Sequence, residues 1–282
     1  MLNTVKMDLY RMAKTKSFYV ILLVFIAMTV ISTVLCKSEF DDPEIQQDNY
    51  ETTVQTEDGG TMNAGISVIL PTKPGEKVTV YDMFYANVKG KEVALFLVIF
   101  IVIFSAADFK CGYIKNIGGQ TRKRFYLILS KAVSVIIYTV LLFAVFILAQ
   151  AVCNQVILGY LRWGPAEDFL PYLGVQMMLH IALALFIMAI TIIILNNVIS
   201  MALAICLCLD LMAVLYTAVD HGAEMLGVEG FQMMEYTITG KIAMLPMVMG
   251  TSDIRTSLVI AAAFIVGSLA VCGAVFQKRD IN

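Results

Sequence analysis

The sequence predicts an all-α polytopic membrane protein with six transmembrane helices, on three observations. Hydrophobic residues make up 59% of the 282-residue chain and charged ones 15%, with a mean hydropathy of +0.80. That is too little polar surface to coat a soluble globule of this size. Six apolar runs occur, at 18–36, 92–107, 127–157, 171–195, 198–219 and 257–276. Most reach the roughly 20 residues that cross a hydrocarbon core about 30 Å thick. They are continuous, without the period-2 alternation of a membrane barrel, so each is expected to be a helix that closes its own backbone hydrogen bonds. Charge also segregates. With both termini in the cytoplasm, the inner segments carry 12 bases and 3 acids and the outer ones 8 bases and 18 acids, with Asp210 left inside a span. That arrangement obeys the positive-inside rule.

Residues 1–17 place Leu2, Val5, Leu9 and Met12 on one helical face, with Lys6, Arg11 and Lys14 largely elsewhere. They read as an amphipathic helix on the inner leaflet, or else as a basic tail that satisfies the charge rule. The first span, 18–36, has too long a lead and too extended an apolar run for a removable signal peptide, and no small-residue cleavage site follows it. Residues 37–91 are too many for a simple connector. Within them "AGISVIL" and "KVTVYDMFY" flank "PTKPGE", which predicts a β-hairpin in an extracellular loop or cap. That loop either screens a substrate or is merely a solvated acidic segment.

The second span, 92–107, is short, so its helix is expected to extend through Val88 and Phe109. Residues 108–126 are basic and glycine-spaced and fall on the cytoplasmic side. The third span, 127–157, leads outside to "GYLRWGPAEDF", where Tyr160 and Trp163 suit a membrane interface. The fourth and fifth spans, 171–195 and 198–219, are joined by Asn196-Asn197 alone. Residues 220–255 are too apolar for an ordinary loop and too interrupted for a span, so short amphipathic or re-entrant helices are expected there. The last span, 257–276, ends in the cytoplasmic tail 277–282.

No GxxxxGK[ST], HExxH or GxSxG motif is present, and the chain holds only two histidines, His180 and His221. Its six cysteines form no CxxC pair and read as small hydrophobes. No catalytic residue, metal ligand or bound cofactor is therefore expected. The polar residues within spans are Gln150, Asn154, Gln176, His180 and Asp210. Gln150 with Asn154, and Gln176 with His180, share helix faces at i, i+4. Counted from the Asn196-Asn197 turn, His180 and Asp210 lie at similar depths, so a hydrogen-bonded pair across the hairpin is open to them. These residues either line a translocation path or act as interhelical glue.

The stretch "DFKCGYIKNIGGQTRKRFY" resembles a segment of ABC-2-type transporter permeases, especially the bacterial group for bacitracin and lantibiotic resistance or immunity. In that group an acid closes the second span, a "GTIKN"-like run and a turn ending in a base follow, and a Lys enters the next helix. Here these are Asp108, then Gly112, Tyr113, Ile114, Lys115 and Asn116, then Gly119, Gln120, Thr121 and Arg122, and finally Lys131. Asp108 stands where Glu is more usual and Tyr113 where Thr is. The resemblance implies that Asp108, Gly112, Tyr113, Lys115, Asn116, Gln120, Arg122, Lys123 and Arg124 form a coupling helix that docks on a separate cytoplasmic ATPase. It further implies two such ATPase subunits binding ATP and Mg, and a second permease copy or related permease. The setting would be a bacterial plasma membrane, with membrane lipid and no nucleic acid as further partner. The cargo would be an amphipathic peptide of the antimicrobial or lantibiotic kind, or a lipid-like compound. Two rivals stand on the residues themselves: an ion-coupled transporter or channel using Asp210, and an accessory protein that senses a ligand through its outer loop.

Overall fold

The computed structural model describes residues 2–59, 65–110, 125–228 and 230–278. Among these, every regular element is a helix: α1 (Leu2–Lys14), α2 (Lys16–Phe40), α3 (Pro43–Gly59), α4 (Val80–Lys89), α5 (Glu92–Lys110), α6 (Phe125–Cys153), α7 (Ala166–Ile194), α8 (Asn197–Cys208), α9 (Ala213–Met225), α10 (Ile238–Met244) and α11 (Thr251–Lys278). A π turn, Asn154–Leu158, extends α6, and a 3-10 turn, Met233–Tyr236, precedes α10. Four helices are long and apolar enough to cross a membrane, and a fifth crossing results if the bent pair α4–α5 counts as one. The chain is thus all-helical and has the length and composition of a membrane-embedded protein.

Helix α7 is apolar on every side and is the most enclosed of the long helices, which is where a helix lacking a polar face belongs. It packs against α5, α6, α10 and α11. By contrast α2 and α11 bury about a quarter of their apolar stretch and show the rest outward. The core between α2, α4, α5, α6 and α7 is aromatic. Phe100 stacks on Tyr138 with ring centroids 3.7 Å apart, and Phe84 and Phe25 lie 5.4 and 5.5 Å from Phe146. Such pairs each contribute about 0.5–1.5 kcal/mol beyond the area they bury.

Cross-bundle contacts fix which helix ends lie together. The Ser130 hydroxyl near the start of α6 donates to Asp8 on α1, and Lys131 lies 4.5 Å over the Phe104 ring. Gly273, near the end of α11, faces the Phe125 ring so closely that a Cβ there would come within 3.1 Å. At the opposite end Lys37 Nζ donates to the Ile157 carbonyl at 2.8 Å. The N-terminal helix, the start of α6 and the end of α11 therefore share one end of the bundle. The α7–α8 turn is as tight as the sequence requires. Leu195 turns in the left-handed region at φ 56°, and Asn196 caps α8 by accepting from the Val198 and Ile199 amides at 3.0 and 3.4 Å.

Three expectations are corrected. The β-hairpin is absent: residues 65–79 form no strand, and "VYDMFY" begins α4 instead. The cause is a capping box, in which the Asp82 amide donates to Thr79 Oγ1 at 3.1 Å while the Thr79 amide donates to Asp82 Oδ2 at 2.7 Å. The second span does not extend straight through Val88; the chain bends by 56° between α4 and α5. The run 198–219 is not one helix either, because it breaks between Cys208 and Ala213.

Candidate functional site

The bend and the break meet. Gly90 ends α4 where no side chain fits: a Cβ would lie 2.6 Å from the Ser67 carbonyl oxygen and 2.9 Å from that of Ala86. Lys91 follows at φ 67° and Asp210 sits in the α8–α9 break at φ 52°. Both occupy the left-handed region, which costs an L-residue with a Cβ on the order of 1–2 kcal/mol. The Lys91 ammonium forms an ion pair with the Asp210 carboxylate, and both side chains are almost wholly buried. Thr239, from the first turn of α10, lies beside Asp210, and Tyr216 of α9 lies beside Thr239.

Helix α10 is placed to reach this point by a close approach. The Gly240 amide donates to the Thr237 cap at 3.2 Å. A Cβ on Gly240 would fall 2.0 Å from the Met234 carbonyl oxygen. Three interruptions of regular helix, at Lys91, at Asp210 and at the start of α10, thus converge on one buried charge pair. Irregular backbone inside a membrane protein is tolerated where it is enclosed by protein or lines a cavity, and broken helices of this kind are where transporter folds build binding sites.

The sequence-predicted polar residues divide around this pair. His180 does not meet Asp210. Its Nδ1 donates to the Gln176 carbonyl at 2.7 Å, and its ring stands edge-on to Phe143 with centroids 5.0 Å apart. Gln176 Nε2 donates to the Tyr172 hydroxyl at 3.1 Å and to the Ile242 carbonyl at 3.2 Å, tying α7 to α10. Gln150 and Asn154 do share a face. Gln150 Nε2 donates to Asn154 Oδ1 at 2.9 Å and to Thr33 Oγ1 on α2 at 3.2 Å. Beside them the Ser32 hydroxyl donates to Asn87 Oδ1 at 2.7 Å, so a polar seam runs between α2, α4 and α6. Among the described residues His180 Nε2, Gln150 Oε1, Asn154 Nδ2, Gln176 Oε1 and Glu92 Oε1 are buried without a hydrogen-bond partner.

Sequence reasoning missed Lys91, Glu92, Asn87 and Thr239. Lys91 and Glu92 sit at the very edge of an apolar run, where charges ordinarily face water. The available signal was Asp210 itself, since a buried carboxylate calls for a cation. Of the coupling residues, Asp108 falls within the backbone of α5. Gly112, Tyr113, Lys115, Asn116, Gln120, Arg122, Lys123 and Arg124 lie outside the described residues. No cluster of three or more His, Cys, Asp or Glu suited to a metal occurs among the described residues.

Fold and site together define a class: an all-helical membrane-embedded protein whose interrupted helices enclose a charge pair. Residues 53–282 match the family described as protein of unknown function DUF2705. With most of its length matched, the chain belongs to that family. No curated protein matches it.

Proposed function

We propose that this chain is the membrane-spanning permease subunit of an ABC-2-type exporter in a bacterial plasma membrane, with six crossings and both termini in the cytoplasm. The crossings are α2, the bent pair α4–α5, α6, α7, the broken pair α8–α9, and α11, with α10 as a re-entrant helix on the outer side. One observation carries the reading. Helix α1, the start of α6 and the end of α11 gather at one end of the bundle. The segment joining α5 to α6 is the one whose sequence resembles an ATPase-coupling helix. In this reading the bases of residues 108–126 face the cytoplasm, where the partner would dock.

In this reading the partner ATPase binds ATP and Mg and does the chemistry; this chain transmits the motion. Closure of two ATPase subunits pushes on residues 108–126, and the force reaches the Lys91–Asp210 junction along α5. A rigid α5 with a bend at its far end converts that push into a change of angle at α4, where left-handed Lys91 already holds the backbone away from its resting preference. The cargo is an amphipathic peptide or a lipid-like compound, and a second permease completes the path. Charge reversal by Lys115→Glu or Arg122→Glu should abolish stimulation of the ATPase while leaving insertion intact. Stimulation equal to wild type would count against the role.

A second reading is favoured by the helix break at a buried carboxylate: an ion-coupled transporter using Asp210. It requires function without an ATPase, and it requires Asp210 to release Lys91 during each cycle.

A further inference from the structure

We propose that the cavity between the 3-10 turn, α10 and the first turns of α11 binds the phosphate-bearing headgroup of a membrane lipid. This rests on the chain being membrane-embedded and not on the ATPase partnership. The cavity holds about 610 Å³ and is lined by Glu235, Tyr236, Lys241, Ser252, Arg255 and Val259, among others. Its lining carries two bases against one acid. Among the described residues, neither Lys241 nor Arg255 uses its side chain in an ion pair, hydrogen bond or ring contact. The nearby Asp253 carboxylate is occupied elsewhere, accepting from the Gly250 amide at 2.9 Å. Two cations thus face one cavity with no carboxylate bound to them, beside the N-terminal, positive end of a 28-residue helix.

Position along α11 selects the ligand. Arg255 lies four residues into the helix, about 6 Å along its axis. From Leu258 the sequence is apolar for many residues. Val259 and Tyr236, both on the cavity wall, are 61% and 57% exposed. The site therefore offers charge-assisted donors at the helix end and an outward apolar wall directly below them. A phosphate bonded to Lys241 and Arg255 would leave attached acyl chains lying along Val259 and Ile260. That lining fits an amphiphile, since a free phosphate would leave the apolar wall unused.

The test is native mass spectrometry of the purified full chain in detergent, with phosphatidylglycerol, with diacylglycerol carrying the same acyl chains, and with inorganic phosphate as competitor. Wild-type chain should retain phosphatidylglycerol about tenfold more strongly than diacylglycerol, the scale of one or two charge-assisted hydrogen bonds. Lys241→Gln with Arg255→Gln should remove that preference, whereas Lys73→Gln, an exposed lysine elsewhere, should not. Equal retention of the two lipids by wild-type chain overturns the proposal even if the double variant fails to fold. Unchanged retention by a folded double variant overturns it as well. Displacement of the lipid by millimolar inorganic phosphate would reassign the cavity to a soluble anion and overturn the lipid assignment.

Discussion

Lys91 and Asp210 each hold a backbone conformation that residues with a Cβ avoid, and their buried charges form an ion pair. Lys91→Met leaves the Asp210 carboxylate buried without this cation, so it should cost about 3–5 kcal/mol of stability in a detergent unfolding assay. Lys91→Met combined with Asp210→Leu should recover most of that loss, because an apolar pair of similar volume replaces both charges. A double variant as unstable as the sum of its singles would show that the two charges are not coupled. The sequence pointed to Asp210 as the costly residue within a span, but not to its partner. Counting depth along an unbroken helix put His180 opposite it; the break after Cys208 shifts that register, and His180 is already committed to the Gln176 carbonyl. The Gln150–Asn154 pair was legible because α6 continues helically past Cys153, keeping i and i+4 on one face.

Whether each element was readable depended on what competes locally with hydrophobicity. The long apolar helices were legible, since a run without polar residues has one way to satisfy its backbone in a membrane. The Asn196 turn was legible too, from a capping residue at a point with no room for a loop. Helix α4 was not, because the alternation of "KVTVYDMFY" looks like a strand while the Thr79–Asp82 capping box decides for helix. Thr79→Ala should therefore lower stability by about 1 kcal/mol, read as a fall in melting temperature. Gly90→Ala should do more harm, because the new methyl meets two backbone oxygens with no flexible side chain to yield. A Gly90→Ala protein as stable as wild type would mean that the bend can relax, and that α4 and α5 are not held at a fixed angle.

For the whole molecule, α1, the start of α6 and the end of α11 gather at one end, which the proposed topology puts in the cytoplasm. Lys14→Cys should accordingly resist a membrane-impermeant thiol reagent in intact cells, and Lys73→Cys, in the proposed outer segment, should react. Reaction at both positions would break the proposed topology. The partnership is tested by purifying the tagged chain from its native membrane in mild detergent, with everything that accompanies it identified and quantified. A stoichiometric ATPase carrying a Walker motif should accompany it, and be lost when Lys115 and Arg122 are both reversed to Glu. A chain that purifies alone and still moves ions across liposomes would contradict the partnership, and would make Asp210 the working residue of an ion-coupled transporter.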